Sequence, residues 1–210
     1  MKHARIAFAV TAAALVLAGC SDADSPAPSA SASTATSSIS SGSGSSGSGS
    51  SGSGSTDSAP TPEPAPADAS DKTSPASAGA KLTVTDIRTG RHENFDRVVY
   101  EMGGTGTPGW RVGYVDRAVQ DGSGNDVAVA GGAILQVLID GSAYPFDSGV
   151  EPYSGPNPVL AQPGGSVVEV NGSGVFEGVT QSFVGVAEPN TPFAVYALTN
   201  PTRLVVDVAR

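Results

Sequence analysis

The chain has 210 residues, of which 27 are glycine, 16 proline, two histidine and one cysteine, and its formal net charge is −9. This acidic balance argues against nucleic-acid binding, because the phosphates of DNA and RNA require clustered lysine and arginine. A single cysteine excludes a disulfide framework within the chain and a cysteine-rich zinc site. Before residue 80 the sequence holds one phenylalanine and no tyrosine or tryptophan. Residues 80–210 are therefore predicted to form the single folded domain.

Residues 1–19 have the features of a lipoprotein signal peptide. A short basic segment, residues 2–5, precedes an apolar run at 6–18 that is too short to cross a bilayer of about 30 Å as a helix. The run ends in Leu-Ala-Gly-Cys at residues 17–20, which resembles the lipobox of bacterial lipoproteins. The resemblance implies cleavage before Cys20, lipidation of that residue, and an extracytoplasmic protein anchored to a bacterial membrane. The alternative is a secreted protein, or one with a short membrane anchor, in which the cysteine is incidental.

Residues 20–79 are predicted to form a disordered linker after the lipidated cysteine. Almost all of them are Ser, Gly, Ala, Thr or Pro, with a Ser/Gly repeat at 41–55 and a Pro-rich segment after it. Such a segment cannot bury enough apolar area to offset its chain entropy. Two interpretations stay open, a spacer that carries the domain into the cell wall or periplasm and a linker with no required length.

Residues 80–210 are predicted to be all-β, with about eight short strands. Val98, Tyr100 and Met102 alternate with Arg97, Val99 and Glu101, and this period of two is typical of a strand. Turn residues separate the segments, and so many short strands in about 130 residues favour a β-sandwich. A Pro-rich loop at 150–165 is either a functional segment or simply a stiff connection. The predicted strands are 82–88, 97–102, 110–116, 133–140, 167–170, 179–187, 193–198 and 203–208.

Motifs that would indicate a cofactor or a metal lack the context that their chemistry needs. Residues 104–109 match G-x-G-x-x-G, but a predicted strand rather than a helix follows, so a loop is predicted. Residues 121–126 offer oxygen ligands at alternate positions without the Gly and Glu of a calcium loop, which favours a hairpin turn over adventitious calcium. His92 is the domain's only histidine and cannot build a typical zinc site. No cofactor, no metal and no catalysis are predicted; the alternative is an enzyme acting on cell-wall material.

Two sequence segments at opposite ends of the domain carry a family resemblance. The first comprises residues 84–92 and 95–100, and the second is the motif Pro-x-Arg-Leu-Val-Val-Asp-Val at 201–208. Together they resemble the AMIN-like domain of bacterial cell-envelope lipoproteins. The resemblance implies a β-sandwich that binds an envelope component, either peptidoglycan or another envelope protein, without acting on it chemically.

Four residues are candidates for ligand binding. Arg91 and His92 follow Gly90 in a predicted loop, where they could hydrogen-bond glycan hydroxyls or the carboxylates of stem peptides. Trp110 and Tyr114 share one face of a predicted strand and could stack on a sugar ring. The alternatives are solvated or structural side chains for the first pair and core packing for the second.

Three charged residues form a predicted structural motif. Arg203 and Asp207 lie four residues apart on the last predicted strand, on one face. Arg97 would reach Asp207 if the first and last segments of the domain pair. The predicted role of Arg97, Arg203 and Asp207 is a salt bridge that holds strands together.

Overall fold

The computed structural model describes residues 63–210, apart from the side chain of Ser173. The predicted signal peptide, Cys20 and most of the predicted linker lie outside the described residues. The described residues belong to one compact unit, Ser55–Arg210, and within them no helix is long and apolar enough to cross a membrane. The elements are β1 (Lys72–Ser74), β2 (Lys81–Arg91), β3 (Phe95–Thr105), β4 (Gly109–Val115), β5 (Ala133–Asp140), α1 (Pro145–Ser148), β6 (Val159–Leu160), β7 (Val167–Phe176), β8 (Val179–Val186), β9 (Phe193–Leu198) and β10 (Thr202–Ala209).

The strands form two antiparallel sheets, which confirms the predicted all-β fold. The six-stranded sheet has the order β1-β4-β5-β8-β7-β6, and the four-stranded sheet has the order β2-β3-β10-β9. β3 pairs with β10 from Phe95 opposite Ala209 to Met102 opposite Thr202. The two segments that resemble the AMIN-like domain are therefore neighbours at the centre of one sheet.

One hydrophobic core lies between the two sheets. Val98, Tyr100 and Met102 of β3 are buried, whereas Arg97 and Glu101 on the opposite face are half-buried, as their alternation predicts. β2, β9, β10 and strands of the other sheet supply the remaining core side chains. Residues 63–210 therefore contain a hydrophobic core of their own, which is what a domain needs in order to fold independently. The other central members are Val112, Leu135, Val137, Ile139, Val184, Val186, Leu204, Val206 and Val208.

The ordered structure begins before residue 80, inside the range predicted to be linker. Lys72–Ser74 forms the edge strand β1 and pairs with Trp110 to Val112 of β4. Farther toward the N-terminus, the backbone carbonyl of Asp68 accepts a hydrogen bond from the Phe193 N–H at 2.9 Å. Pairing of this kind uses backbone groups alone, so it needs no apolar pattern in the sequence.

Every predicted strand is present, and two further differences concern the connections. Residues 171–174, which separate two of the predicted strands, lie inside β7. The register of β7 against β8 shifts between Gly172 and Gly174. The Pro-rich loop contains the two-residue strand β6 and is preceded by the single helical turn α1. Residues 104–109 join β3 to β4 with no helix after them, as predicted.

Candidate functional site

Arg91 and His92 are held by contacts within the protein. The Arg91 Nη2 donates to the carbonyl oxygens of Gln162 at 2.8 Å and Pro163 at 2.9 Å. The His92 ring stacks on Phe95, with the ring centroids 4.6 Å apart. The Arg91 hydrogen bonds fasten the end of β2 to the Pro-rich loop, whereas the His92 ring packs within the connection between β2 and β3. Both arrangements favour the structural alternative.

Asp96 lies beside Arg91 and is almost fully buried. Its Oδ2 accepts a hydrogen bond from the Val167 N–H at 3.1 Å, while its Oδ1 lies 3.7 Å from the Nε atoms of Arg91 and Arg210 without a hydrogen bond. The adjoining cavity has a volume of about 10 Å³, which is room for about one water molecule. The cluster therefore joins β2, β3 and the C-terminal residue and offers no space for a larger ligand.

Trp110 and Tyr114 are half-buried on β4 and pack against the core. The Tyr114 hydroxyl donates to the Thr191 carbonyl oxygen at 2.8 Å, and burial raises the pKa of this phenol. The two rings line separate shallow hollows, of about 270 Å³ at Trp110 and about 380 Å³ at Tyr114. The structure does not bring Arg91, His92, Trp110 and Tyr114 into a common site.

Arg97 and Asp207 form a bidentate ion pair across β3 and β10. The Nε–Oδ1 distance is 2.7 Å and the Nη2–Oδ2 distance is 2.9 Å, and the Asp207 side chain is only 7% exposed. The Tyr196 hydroxyl also donates to Asp207. Burial, together with the nearby Asp207 carboxylate, raises the pKa of the Tyr196 phenol to about 12. Arg203 does not join the pair; its Nε donates to the Pro201 carbonyl oxygen instead.

A pocket of about 250 Å³ lies between the sheets, where β2 and β3 face β7 and β8 under the loop 143–158. Its lining combines aliphatic side chains, three tyrosines, glycines and uncharged polar residues, with no charged side chain among them. Apart from the Pro-rich segment, the sequence indicated none of this lining as part of a binding site. The lining residues are Thr83, Val84, Ile87, Tyr100, Tyr144, Pro145, Pro152, Tyr153, Gly155, Asn157, Gly172, Gly174, Val175, Thr180, Gln181 and Ser182.

Glycines in β7 create the space for this pocket. A Cβ on Gly172 would come within 3.4 Å of Ile87 Cδ1 across the gap. Gly174 has a φ of +86°, and a Cβ there would meet no atom within 4 Å. A β7 with larger side chains at these positions would close the gap between the sheets.

The loop 143–158 is fixed at several points. The backbone N–H groups of Ala143 and Tyr153 donate to carbonyl oxygens of β2, each at 2.8 Å. The Asn157 side chain donates to the Gly172 carbonyl oxygen at 2.9 Å and accepts from the Gly172 N–H at 3.0 Å. The outer wall of the pocket is therefore attached to both sheets.

An exposed aromatic pair stands at the edge of this pocket. The rings of Tyr144 and Phe146 stack with centroids 5.3 Å apart and planes 7° apart. Tyr144 lines the pocket, whereas Phe146 is 81% exposed on α1. The pair therefore presents the face of an aromatic ring to solvent at the edge of the pocket.

Comparison with protein families shows the family to which this domain belongs. A family model for the AMIN-like domain matches residues 82–210, more than half of the chain. The chain belongs to the AMIN-like domain family. No curated protein and no solved structure matches it.

The AMIN-like domain begins at β2, so strand β1 precedes the matched region. This family is associated with the bacterial envelope, and its domains are in general non-catalytic binding domains. Within residues 63–210 no group of three or more His, Cys, Asp or Glu is placed to hold a metal ion. Both candidate binding features of this AMIN-like domain, the pocket and the aromatic pair, lie at loop 143–158.

Proposed function

We propose that this protein is a lipid-anchored, non-catalytic binding protein of the bacterial envelope that contacts the glycan strands of peptidoglycan. The observation that carries the proposal is the stacked pair Tyr144–Phe146, exposed on a domain of an envelope-associated family. The faces of aromatic rings carry partial negative charge and attract the weakly positive C–H groups of a sugar ring.

The negative net charge of the domain supports an uncharged target. Residues 80–210 contain 8 basic and 14 acidic residues, a net charge of −6. Such a domain is repelled by anionic lipids and anionic wall polymers at long range. Contact with neutral sugar rings, by contrast, needs no attraction between opposite charges.

The chemistry of the pocket favours binding over catalysis. Its lining has no carboxylate, imidazole or amine to act as an acid, base or nucleophile. Burial raises the pKa of both Tyr100 and Tyr153, so their phenols stay protonated at neutral pH. Catalysis at this pocket would lack a group that exchanges a proton near pH 7.

The proposed anchor is Cys20, followed by residues 21–62 as the tether. As a random coil, about 42 residues extend on average about 35 Å, and about 150 Å when fully stretched. Mass spectrometry of the membrane-extracted protein should find acyl chains on Cys20. In a Cys20→Ser variant we expect the protein to leave the membrane fraction, and retention there would refute the lipid anchor.

The test of glycan binding is co-sedimentation of residues 55–210 with isolated peptidoglycan sacculi. We expect saturable binding that Phe146→Ala weakens several-fold, because an exposed ring is removed while the core is untouched. Leu160→Ala is the matched control, since Leu160 is also apolar and 71% exposed but lies outside the aromatic pair. Absence of binding at tens of micromolar would refute the glycan target and direct crosslinking from position 146 toward a protein partner.

A further inference from the structure

The pocket between the sheets has the size of a binding site for one small apolar group. An engineered apolar cavity of about 150 Å³ accommodates benzene, which corresponds to about 25 Å³ per carbon. On this scale the 250 Å³ of the pocket matches a chain or ring system of about ten carbons. The pocket is therefore too small for a folded peptide and large enough for a medium-length alkyl or acyl chain.

The buried polar side chains of the pocket wall already have partners within the protein. The Tyr100 hydroxyl lies 2.9 Å from Ser182 Oγ, which donates to the Asn171 carbonyl oxygen at 2.8 Å. Thr180 Oγ1 donates to Ser142 Oγ at 2.8 Å.

Two further polar side chains of the wall, Gln181 and Asn157, are engaged in the same way. The side chain of Gln181 donates to the Val119 carbonyl oxygen at 3.0 Å and accepts from the Asp121 N–H at 2.9 Å. Asn157 uses both ends of its amide on Gly172. An occupant meets methyl groups, proline rings and tyrosine faces rather than unused hydrogen-bonding groups, so burial of apolar area supplies its binding energy.

Charge around the pocket sets the nature of the polar end of such an occupant. The loop 143–158 carries Asp147 and Glu151 and no basic residue. Burial, together with the nearby carboxylate of Asp86, raises the pKa of the Tyr153 phenol. A carboxylate or phosphate head at the pocket mouth would therefore meet like charge from the loop 143–158. The guanidinium of Arg88 is already paired with Asp86 at 2.8 Å and with Glu101 at 3.0 Å.

We propose that this pocket binds one apolar chain of an uncharged amphiphile, such as a fatty alcohol or the acyl chain of a neutral lipid. The proposal goes beyond glycan binding and does not depend on it. Nothing in the pocket wall attacks the chain chemically, so the complex is reversible. The same chain has two sources, a free amphiphile in solution and a neutral lipid taken from a bilayer.

The first experiment measures fluorescence of the neutral probe N-phenyl-1-naphthylamine with residues 55–210. We expect saturable binding that decanol displaces at a concentration at least about tenfold lower than decanoate, since only the second is an anion at pH 7.5. Chitotriose serves as the glycan arm and should not displace the probe. Vesicles of phosphatidylcholine with and without dioleoylglycerol, added to the same mixture, separate lipid extraction from binding of a free amphiphile.

Variants at Gly172 locate the site. Gly172→Leu places a side chain into the gap toward Ile87 and should reduce probe affinity at least tenfold, while Leu160→Ala should leave it unchanged. Gly172→Ala adds one methyl group at ordinary contact distance and should weaken binding moderately in a domain that still folds.

The outcomes of these experiments decide whether the pocket binds an apolar chain, independently of whether the domain binds glycan. No saturable probe binding by the wild type, full affinity in folded Gly172→Leu, or displacement by chitotriose instead of decanol would each overturn the proposal. Sacculus binding of the same variants is measured in parallel. If Gly172→Leu loses the probe and retains sacculi, the pocket is assigned independently of the glycan surface.

Discussion

Replacement of Asp207 by asparagine tests the ion pair that joins β3 to β10. The substitution keeps the shape of the side chain but removes its charge and turns one acceptor oxygen into an amide donor. Arg97, whose side chain is 19% exposed, then retains only Glu63, which is 55% exposed, as a carboxylate partner. The mostly buried Arg97 guanidinium therefore loses its bidentate carboxylate partner. The amide N–H group of the substituted side chain would instead face the N–H donors of Arg97.

The magnitude follows from the burial of the pair. Exposed ion pairs contribute about 0–1 kcal/mol, whereas breaking a buried pair costs about 3–5 kcal/mol. Asp207 is buried and Arg97 is mostly buried, but Glu63 offsets part of the loss, so we expect about 3 kcal/mol. For a domain of this size, that corresponds to a fall in Tm of about 6–12 °C.

Urea unfolding of residues 55–210, followed by circular dichroism, measures this loss. Asp86→Asn is the matched control, because Asp86 also binds an arginine, Arg88, at 2.8 Å, but both side chains are nearly half exposed. We expect the control to lose less than about 1 kcal/mol. An equal effect of Asp207→Asn and Asp86→Asn would refute the argument that burial makes the first pair important for stability.

Three further predictions concern other contacts in the domain. Because burial raises the pKa of Tyr196 to about 12 from 10.0, the folded state holds a proton that the unfolded state releases, so stability should fall between pH 10 and 12. Tyr196→Phe should flatten this fall in urea midpoints measured at pH 9 and pH 11.5, and an unchanged slope would contradict the assignment. Gly165→Ala should lower the free energy of unfolding by more than about 2 kcal/mol, because the new Cβ would overlap the Asp96 carboxylate. A Cβ at Gly90 would meet no atom within 4 Å, so Gly90→Ala should change the free energy of unfolding by less than about 1 kcal/mol. Removal of residues 63–80 should lower the free energy of unfolding by about 2–4 kcal/mol, because it removes the pairing of β1 with β4 and the backbone hydrogen bonds to Thr107 and Phe193. Unfolding should stay cooperative, and two separate transitions by calorimetry would contradict this.

The strands could be predicted from sequence because their side chains follow the pleat. Val98, Tyr100 and Met102 face the core and carry a pattern of period two. β1 has no such signal, because Lys72, Thr73 and Ser74 are polar and the strand is held by backbone pairing to β4. Local hydrophobic patterns identify strands with a buried apolar face and miss short edge strands with polar side chains.

The pocket is harder to predict because absent side chains create it. Gly172 and Gly174 suggest a turn in the sequence, and only the pairing of β7 with β8 shows them within a sheet. Phe146 lies between two predicted strands, and its exposure depends on how loop 143–158 folds over β2. The Pro-rich loop was the one available signal, and it indicated the region without indicating its contacts.

The edge position of β1 determines where mechanical load enters the domain. A pull on the chain from the side of residue 63 acts first on the contacts of Glu63 with Asn94 and Arg97. It then acts on the bond from the Phe193 N–H to the Asp68 carbonyl oxygen and on β1. Three residues at a sheet edge separate one pair at a time, whereas β2 is paired with β3 along most of its length. Residues 63–80 would then peel away first and add about 60 Å of slack to the connection. The AMIN-like domain and its pocket would stay folded while the extra length absorbed the displacement.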